Sequence, residues 1–207
     1  MFLKLGKLKM RFAGIDEQNH GKFPEIFACV VSNDPEDVVS GAFKKIRFKI
    51  DRTVGTIMPE LGDFLGDREY RHTKVTEDDA GVFSGNGLRI INYSELLKQF
   101  DGVEVVLVDG RLNSVVIEGV LKHIFPLKPK IKGVDKISSV KHRYQAVNLA
   151  DGVANFLYRG CYDPVYDDIE AGLKRPIRVR DVLETRVTPK LEEYQHLLPE
   201  FQSRARG

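Results

Sequence analysis

Residues 11 to 15 (RFAGI) form a short run of mainly apolar character that ends on two acids, Asp16 and Glu17. A polar turn separates it from 25 to 32 (EIFACVVS), which is rich in β-forming residues, so two neighbouring strands joined by a turn are the simple reading. The stretch SNDPEDVV at 32 to 39 predicts a loop with a short helix. FKKIRFKI at 43 to 50, with partly alternating apolar and basic positions, predicts a third strand. Residues 51 to 87 combine several glycines, the acidic cluster Glu77, Asp78 and Asp79, and the loop signal SGNG, and they predict irregular structure or an inserted subdomain. Asn92 or Ser94 caps an expected helix through Phe100, and a DG turn leads into VEVVLV at 103 to 108. That run is short, β-branched and almost wholly apolar, the pattern of a strand covered on both faces. A helix over 115 to 124 is stopped by Pro126, and 130 to 134 adds another strand. From 144 to 158 (YQAVNLADGVANFLY) the period is helical, with Ala146, Ala150, Val153 and Leu157 on one apolar stripe. The later segment PKLEEYQHLLPEF is charged and helix-like.

Strands early, then strand and helix in alternation, predict an α/β domain with a mixed sheet flanked by helices. A length of 207 residues with 42% hydrophobic composition suits one globular domain, or one with an added element. No repeat at solenoid periods is visible. No stretch approaches the ~18 uninterrupted apolar residues of a membrane span. The opening MFLKLGKLKMRF alternates lysines with apolar residues and makes a poor signal peptide, and Met10 is an alternative start to Met1. Cys29 and Cys161 lack zinc-ligand or redox spacing, which predicts two reduced thiols in a cytoplasmic protein.

The net charge of +2 gives no whole-molecule attraction to nucleic acid, so any basic surface must be local. One such stretch lies between Lys122 and Arg143, with seven lysines or arginines against the single acid Asp135. It would suit a phosphate backbone, and a charge-rich solvated surface gives the same pattern. The phenylalanines interleaved in FKKIRFKIDR read as core rather than as base-stacking platforms.

Three acids carry the candidate chemistry. Asp16 ends the first strand, Asp109 ends the central apolar strand, and Asp151 interrupts a helix that otherwise packs on the core. Open α/β sheets bind ligands at the carboxyl ends of their strands. If those two strands are adjacent and parallel, their terminal carboxylates come within one ion's reach. Unless Lys or Arg pairs with them, they need a divalent cation to stay ionised together. Magnesium and manganese match oxygen donors, and magnesium takes few carboxylates while a substrate phosphate completes its shell. Two such ions would clamp an in-line phosphodiester displacement. The expected chemistry is hydrolysis of a nucleic-acid backbone.

FAGIDEQNHG followed by EIFACVVS resembles the opening hairpin of the ribonuclease H-like superfamily, particularly type 2 ribonuclease H, in which a Gly-Ile-Asp-Glu strand end supplies two metal-binding carboxylates. VVLVDGRLN resembles that superfamily's fourth strand, ending in a third aspartate. VNLADGVANFLYR is similar to the late Ala-Asp helix of uncharacterised prokaryotic ribonuclease H-like families. The resemblance implies a ribonuclease H-like nuclease, with metal ligation by Asp16, Glu17, Asp109 and Asp151 and an RNA, DNA or hybrid partner. It covers a core over 10–160 and leaves 51–87 and the tail unaligned; the expected organisation is that core with 51–87 as a possible insertion, and 161–207 as a C-terminal helical extension packed on it. The chain departs from type 2 ribonuclease H where DEQNHG replaces DEAGRG, so the glycine, arginine, glycine run is missing, and Asn148 stands where a glutamine is common in the uncharacterised families.

Each residue also has a plainer reading. Asp16 would serve as a turn aspartate capping local amides, Glu17 as a solvated strand-end glutamate, and Asp109 as the start of an Asp-Gly turn. Asp151 shares a polar stripe with Tyr144, Asn148, Asn155 and Tyr158, which an exposed helix face would also produce. His20 is placed to shuttle protons, although a surface loop histidine looks the same, and Glu118 and Asp135 read as solvated. Successive strand side chains point to opposite faces, so Asp16 and Glu17 share one site only if the strand ends or bulges there. A non-catalytic nucleic-acid-binding or scaffolding domain on the same fold is the alternative, and hydrolysis of a small phosphorylated metabolite is a third reading.

Overall fold

The computed structural model describes residues 10–19, 23–41, 65–83, 85–138, 141–142, 144–158 and 184–198. The expected strand at 43–50, His20, Cys161 and the question of the start at Met1 all fall outside the described residues.

The opening hairpin forms as its pattern requires, with β1 (Arg11–Gln18) antiparallel to β2 (Glu25–Ser32). A short 3-10 helix, Pro35–Val38, follows, capped by the Asp34 side chain, which accepts from the Glu36 amide. The segment read as irregular contains a strand, β3 (Glu69–Val75), antiparallel to β2. Its alternation is hidden by Arg71, His72, Thr73 and Lys74, polar residues on a strand with mixed burial. Helix α1 (Glu77–Val82) is set by a reciprocal capping box between Thr76 and Asp79, which turns the acidic cluster into a helix start. Helix α2 (Gly85–Leu97) begins earlier than expected, with Gly85, Asn86 and Gly87 of the SGNG signal in its first turn.

The apolar run becomes β4 (Val103–Asp109), parallel to β1, and β5 (Lys130–Val134) is parallel to β4. Between them lies α3 (Ser114–His123), capped by Asn113. Two short strands, β6 (Lys136–Ser138) and β7 (Lys141–His142), pair with each other, and α4 (Gln145–Leu157) follows. The main sheet has the order β3-β2-β1-β4-β5.

Strand alternation sorts the core into two layers. Ala13, Ile15, Phe27, Cys29, Val106 and Val108 join α2 and α3 on one face. Ile26, Ala28 and Val30 meet Leu149, Ala150, Val153 and Ala154 of α4 on the other, and Leu107 meets Val147 there. Strand β4 is therefore covered on both faces over Val106, Leu107 and Val108, as its almost wholly apolar run predicts, while Glu104 near its start is exposed.

Within the proposed C-terminal extension, a parallel bridge joins Arg186 to His72, and the Val187 amide donates to the His72 carbonyl at 2.7 Å. A 3-10 helix, Leu191–Leu197, then buries Tyr194 completely, with its hydroxyl donating to Glu95 Oε1 at 2.6 Å. Among the described residues no helix is long and apolar enough to cross a membrane.

Candidate metal centre

Register decides which acids meet. The last paired couple between β1 and β4 is Ile15 with Val108, so Asp16 and Asp109 come next on neighbouring parallel strands. Asp16 has the parity of Gly14, and Asp109 that of Leu107; both residues face α4. The two aspartates therefore share one side of the sheet at the carboxyl ends of adjacent parallel strands.

Gly14 explains why α4 lies so close. A Cβ there would overlap the Ala146 carbonyl and come within 2.7 Å of the Val147 nitrogen, so helix and strand touch backbone to backbone. Val147 packs with Leu107, and Asp151 stands one helical turn beyond Val147 on the helix that covers the acid-bearing face. Asn148 and Asp151 are buried, so the polar stripe of α4 is not a solvated surface. Asp109 is half-buried and is followed by Gly110 at φ +79°, a conformation that favours glycine, with the Gly110 amide donating to the Val134 carbonyl at 2.9 Å. The Asp-Gly turn and the carboxylate position are thus one feature.

Glu17 goes elsewhere. Strand β1 continues through Gln18 with regular pairing of Asp16 to Ala28, Glu17 to Phe27 and Gln18 to Ile26, so alternation is unbroken. The Glu17 side chain points to the α2 face, where Arg89 donates to its Oε1 at 2.6 Å. The Glu17 side chain is only 4% exposed against 37% for Arg89, so the arginine compensates a carboxylate inside the fold from a partly wet position. Burial, then the Glu17 charge, pushes the neighbouring Tyr93 hydroxyl well above its ordinary range. Asp16 Oδ1 accepts the Glu17 amide at 2.7 Å, which fixes the aspartate against its own backbone.

The sequence reading missed Arg89, because the helix was expected to begin after it, and His72, because it lies in the unread segment. His72 is fully buried in the row that runs from Asp16 through Ala28 across the sheet. Burial, together with the charge of Arg186, pulls its pKa to about 3 despite a hydrogen bond from the ring to the Thr185 backbone, so it stays neutral. Glu118 and Asp135 are exposed.

Among the described residues no three His, Cys, Asp or Glu side chains are gathered closely enough to hold an ion. The donor chemistry of the Asp16 and Asp109 pair nevertheless fits a hard divalent cation, which needs only one or two protein carboxylates and takes its remaining oxygens from water or phosphate. Exposed Lys130 and Lys132 of β5 pair with Val105 and Leu107 and so project on the same side of the sheet as Asp109.

No family model matches the chain, and no curated protein is similar to it at a significant level. Solved structures are similar. The ribonuclease H2 of Pyrococcus horikoshii OT3 aligns with a TM-score of 0.57 at 14% identity, over 96% of this chain and 90% of that one. Bst-RNase HIII, solved in complex with Mn2+, aligns with a TM-score of 0.51 at 12% identity, over 94% of this chain and 67% of that one. The chain has the ribonuclease H-like fold, a mixed five-stranded sheet with flanking helices.

Proposed function

We propose that the protein is a divalent-metal-dependent nuclease that hydrolyses phosphodiester bonds of nucleic acid. The observation that carries this reading is the placement of Asp16 and Asp109 on one side of adjacent parallel strand ends, beneath the helix that bears Asp151. The Mn2+ in the Bst-RNase HIII structure supports the metal class.

Asp16 and Asp109 would hold magnesium or manganese, with Asp151 contributing from α4 to a second ion or to the orientation of water. When bound, such ions supply positive charge to the phosphate oxygens and lower the pKa of a bound water. The chain's own residues do the rest. The hydrogen bond from the Glu17 amide fixes Asp16, and the left-handed Gly110 fixes Asp109, so neither carboxylate needs reordering when substrate arrives. The close seat of α4 on Gly14 holds that helix, and Asp151 with it, against the acid-bearing face of the sheet. Lys130 and Lys132 attract the phosphate backbone from the open side, which makes binding fall steeply with salt. Glu17 joins the ligand set only by releasing Arg89.

Isothermal titration of manganese into the wild type, Asp16→Asn and Asp109→Asn tests the ligand assignment, and cleavage of RNA, DNA and hybrid duplexes tests the activity. Heat that is present in the wild type and absent in both variants, together with cleavage of at least one substrate, is expected. No metal-dependent heat in the wild type refutes the reading.

One observation favours a second reading, a non-catalytic nucleic-acid-binding or scaffolding domain. Arg89 occupies a carboxylate that the sequence resemblance assigns to metal. That reading predicts that Asp16→Asn leaves nucleic-acid binding intact and that the wild type cleaves nothing.

A further inference from the structure

On the opposite side of the sheet from the acids, two imidazoles meet across elements distant in sequence. His123 closes α3 and His196 lies in the C-terminal 3-10 helix, and their Nε2 atoms stand 3.1 Å apart. The ring centroids are 4.9 Å apart with planes inclined by 28°, so the two Nε2 atoms stand closer to each other than the ring centres do. As neutral imidazoles, one donates N–H to the other. That spacing is also what two nitrogens show when each lies ~2.0–2.1 Å from a shared metal, at a ligand angle of roughly 95–100°. From this geometry we propose that His123 and His196 form a second metal site, selective for imidazole-seeking divalent ions such as zinc, nickel or copper rather than magnesium.

The His123 ring is held before any ion arrives. The His123 ring packs on Tyr194 with centroids 4.6 Å apart, and Tyr194 is fixed by Glu95 at 2.6 Å and by Lys98 at 3.2 Å. His196 is exposed, so an ion reaches the pair from solvent and water completes its shell. Metal binding needs both Nε2 lone pairs, so the donor ring moves its proton to Nδ1 and no proton is released. The titratable and charged groups facing His123 are His196, Lys98, Lys122 and Glu193. Burial, then His196 and the two lysines, hold His123 below its ordinary pKa against the opposing effect of Glu193, leaving it neutral and able to ligate at pH 7. The lysines also weaken the field for a cation, so the site binds less tightly than a four-ligand structural zinc. Since His196 belongs to the segment that also bridges to β3, an ion here clamps the C-terminal segment to α3.

Copper(II) electron paramagnetic resonance on the full chain without a histidine tag, in excess magnesium, tests the site. The expected result is one equivalent of copper with the nitrogen hyperfine pattern of two imidazoles. The pattern should be lost in His123→Phe, which keeps a ring against Tyr194, and in His196→Gln, an exposed change that leaves the fold intact. It should persist in Asp16→Asn combined with Asp109→Asn, which separates this site from the acidic one. A pattern that survives either histidine substitution, or a purely oxygen-ligated signal in the wild type, overturns the proposal.

Discussion

Gly14→Ala probes how the fold places its acids. The new Cβ would overlap the Ala146 carbonyl oxygen and carbon and lie 2.7 Å from the Val147 nitrogen, whereas ordinary contact begins at 3.4 Å. All three obstacles are backbone atoms near the N-terminal end of α4, so no side-chain rotation relieves them and the helix must move as a body. Overpacking of this kind costs about 1–3 kcal/mol, and a rigid neighbour puts this position at the upper end. For a chain of this size about 3 kcal/mol lowers the melting temperature by about 6–12 °C. Gly119→Ala is the control. Its Cβ would meet the Ile90 side chain, with Cδ1 at 2.6 Å, Cγ1 at 2.9 Å and Cγ2 at 3.2 Å, so one side chain has to yield but no backbone does. Thermal denaturation followed by circular dichroism should therefore show Gly14→Ala well below Gly119→Ala. Manganese titration of the folded Gly14→Ala protein should show weaker binding, because Asp151 travels with α4. Equal melting temperatures for the two variants would refute the claim that backbone contact at Gly14 positions the helix.

Arg89→Ala leaves the Glu17 carboxylate buried without its arginine and should destabilise by about 1–3 kcal/mol in urea titrations, reduced from a fully buried pair because Arg89 is partly solvated; Glu17→Gln in the same chain should recover part of the loss. His72 gives a pH dependence whose sign follows from its lowered pKa. Above pH 6.5 it is neutral folded or unfolded and contributes nothing. Between 6.5 and about 3 the unfolded chain takes up a proton that the native one refuses, so stability falls with pH, by about 2 kcal/mol at pH 5, and urea midpoints of His72→Asn should lack this slope. Burial pushes the Cys29 thiol up to about 12, so peptide mapping after alkylation at pH 8 should find it unmodified until the protein is unfolded.

Local pattern made much of the fold legible. The hairpin at β1 and β2, the doubly covered β4 and the amphipathic α4 each announce themselves through periodicity, and α4 adds a glycine-tight contact that no periodicity encodes. Strand β3 was hidden because its neighbours supply the burial. His72 and Thr73 are fully buried, yet one lies against the C-terminal segment and the other bonds Asn92 of α2 at 2.5 Å, so the polar residues are satisfied by partners far along the chain. The start of α2 was hidden by SGNG, whose glycines suit a loop equally well.

The acids show the same division between local and distant information. That Asp16 and Asp109 sit at strand ends is readable from the chain, but their shared side depends on a register between strands about ninety residues apart, fixed by which apolar parity faces α4. Alternation then separates Glu17 from Asp16 as surely as it unites Asp16 with Asp109. A strand that keeps pairing through Gln18 cannot present both carboxylates on one face, and the structure meets this by giving Glu17 a cation of its own. The motif therefore serves two faces at once. Its aspartate belongs to the open end beneath α4, and its glutamate anchors α2 through Arg89, which ties the helix on one side of the sheet to the acid-bearing strand on the other.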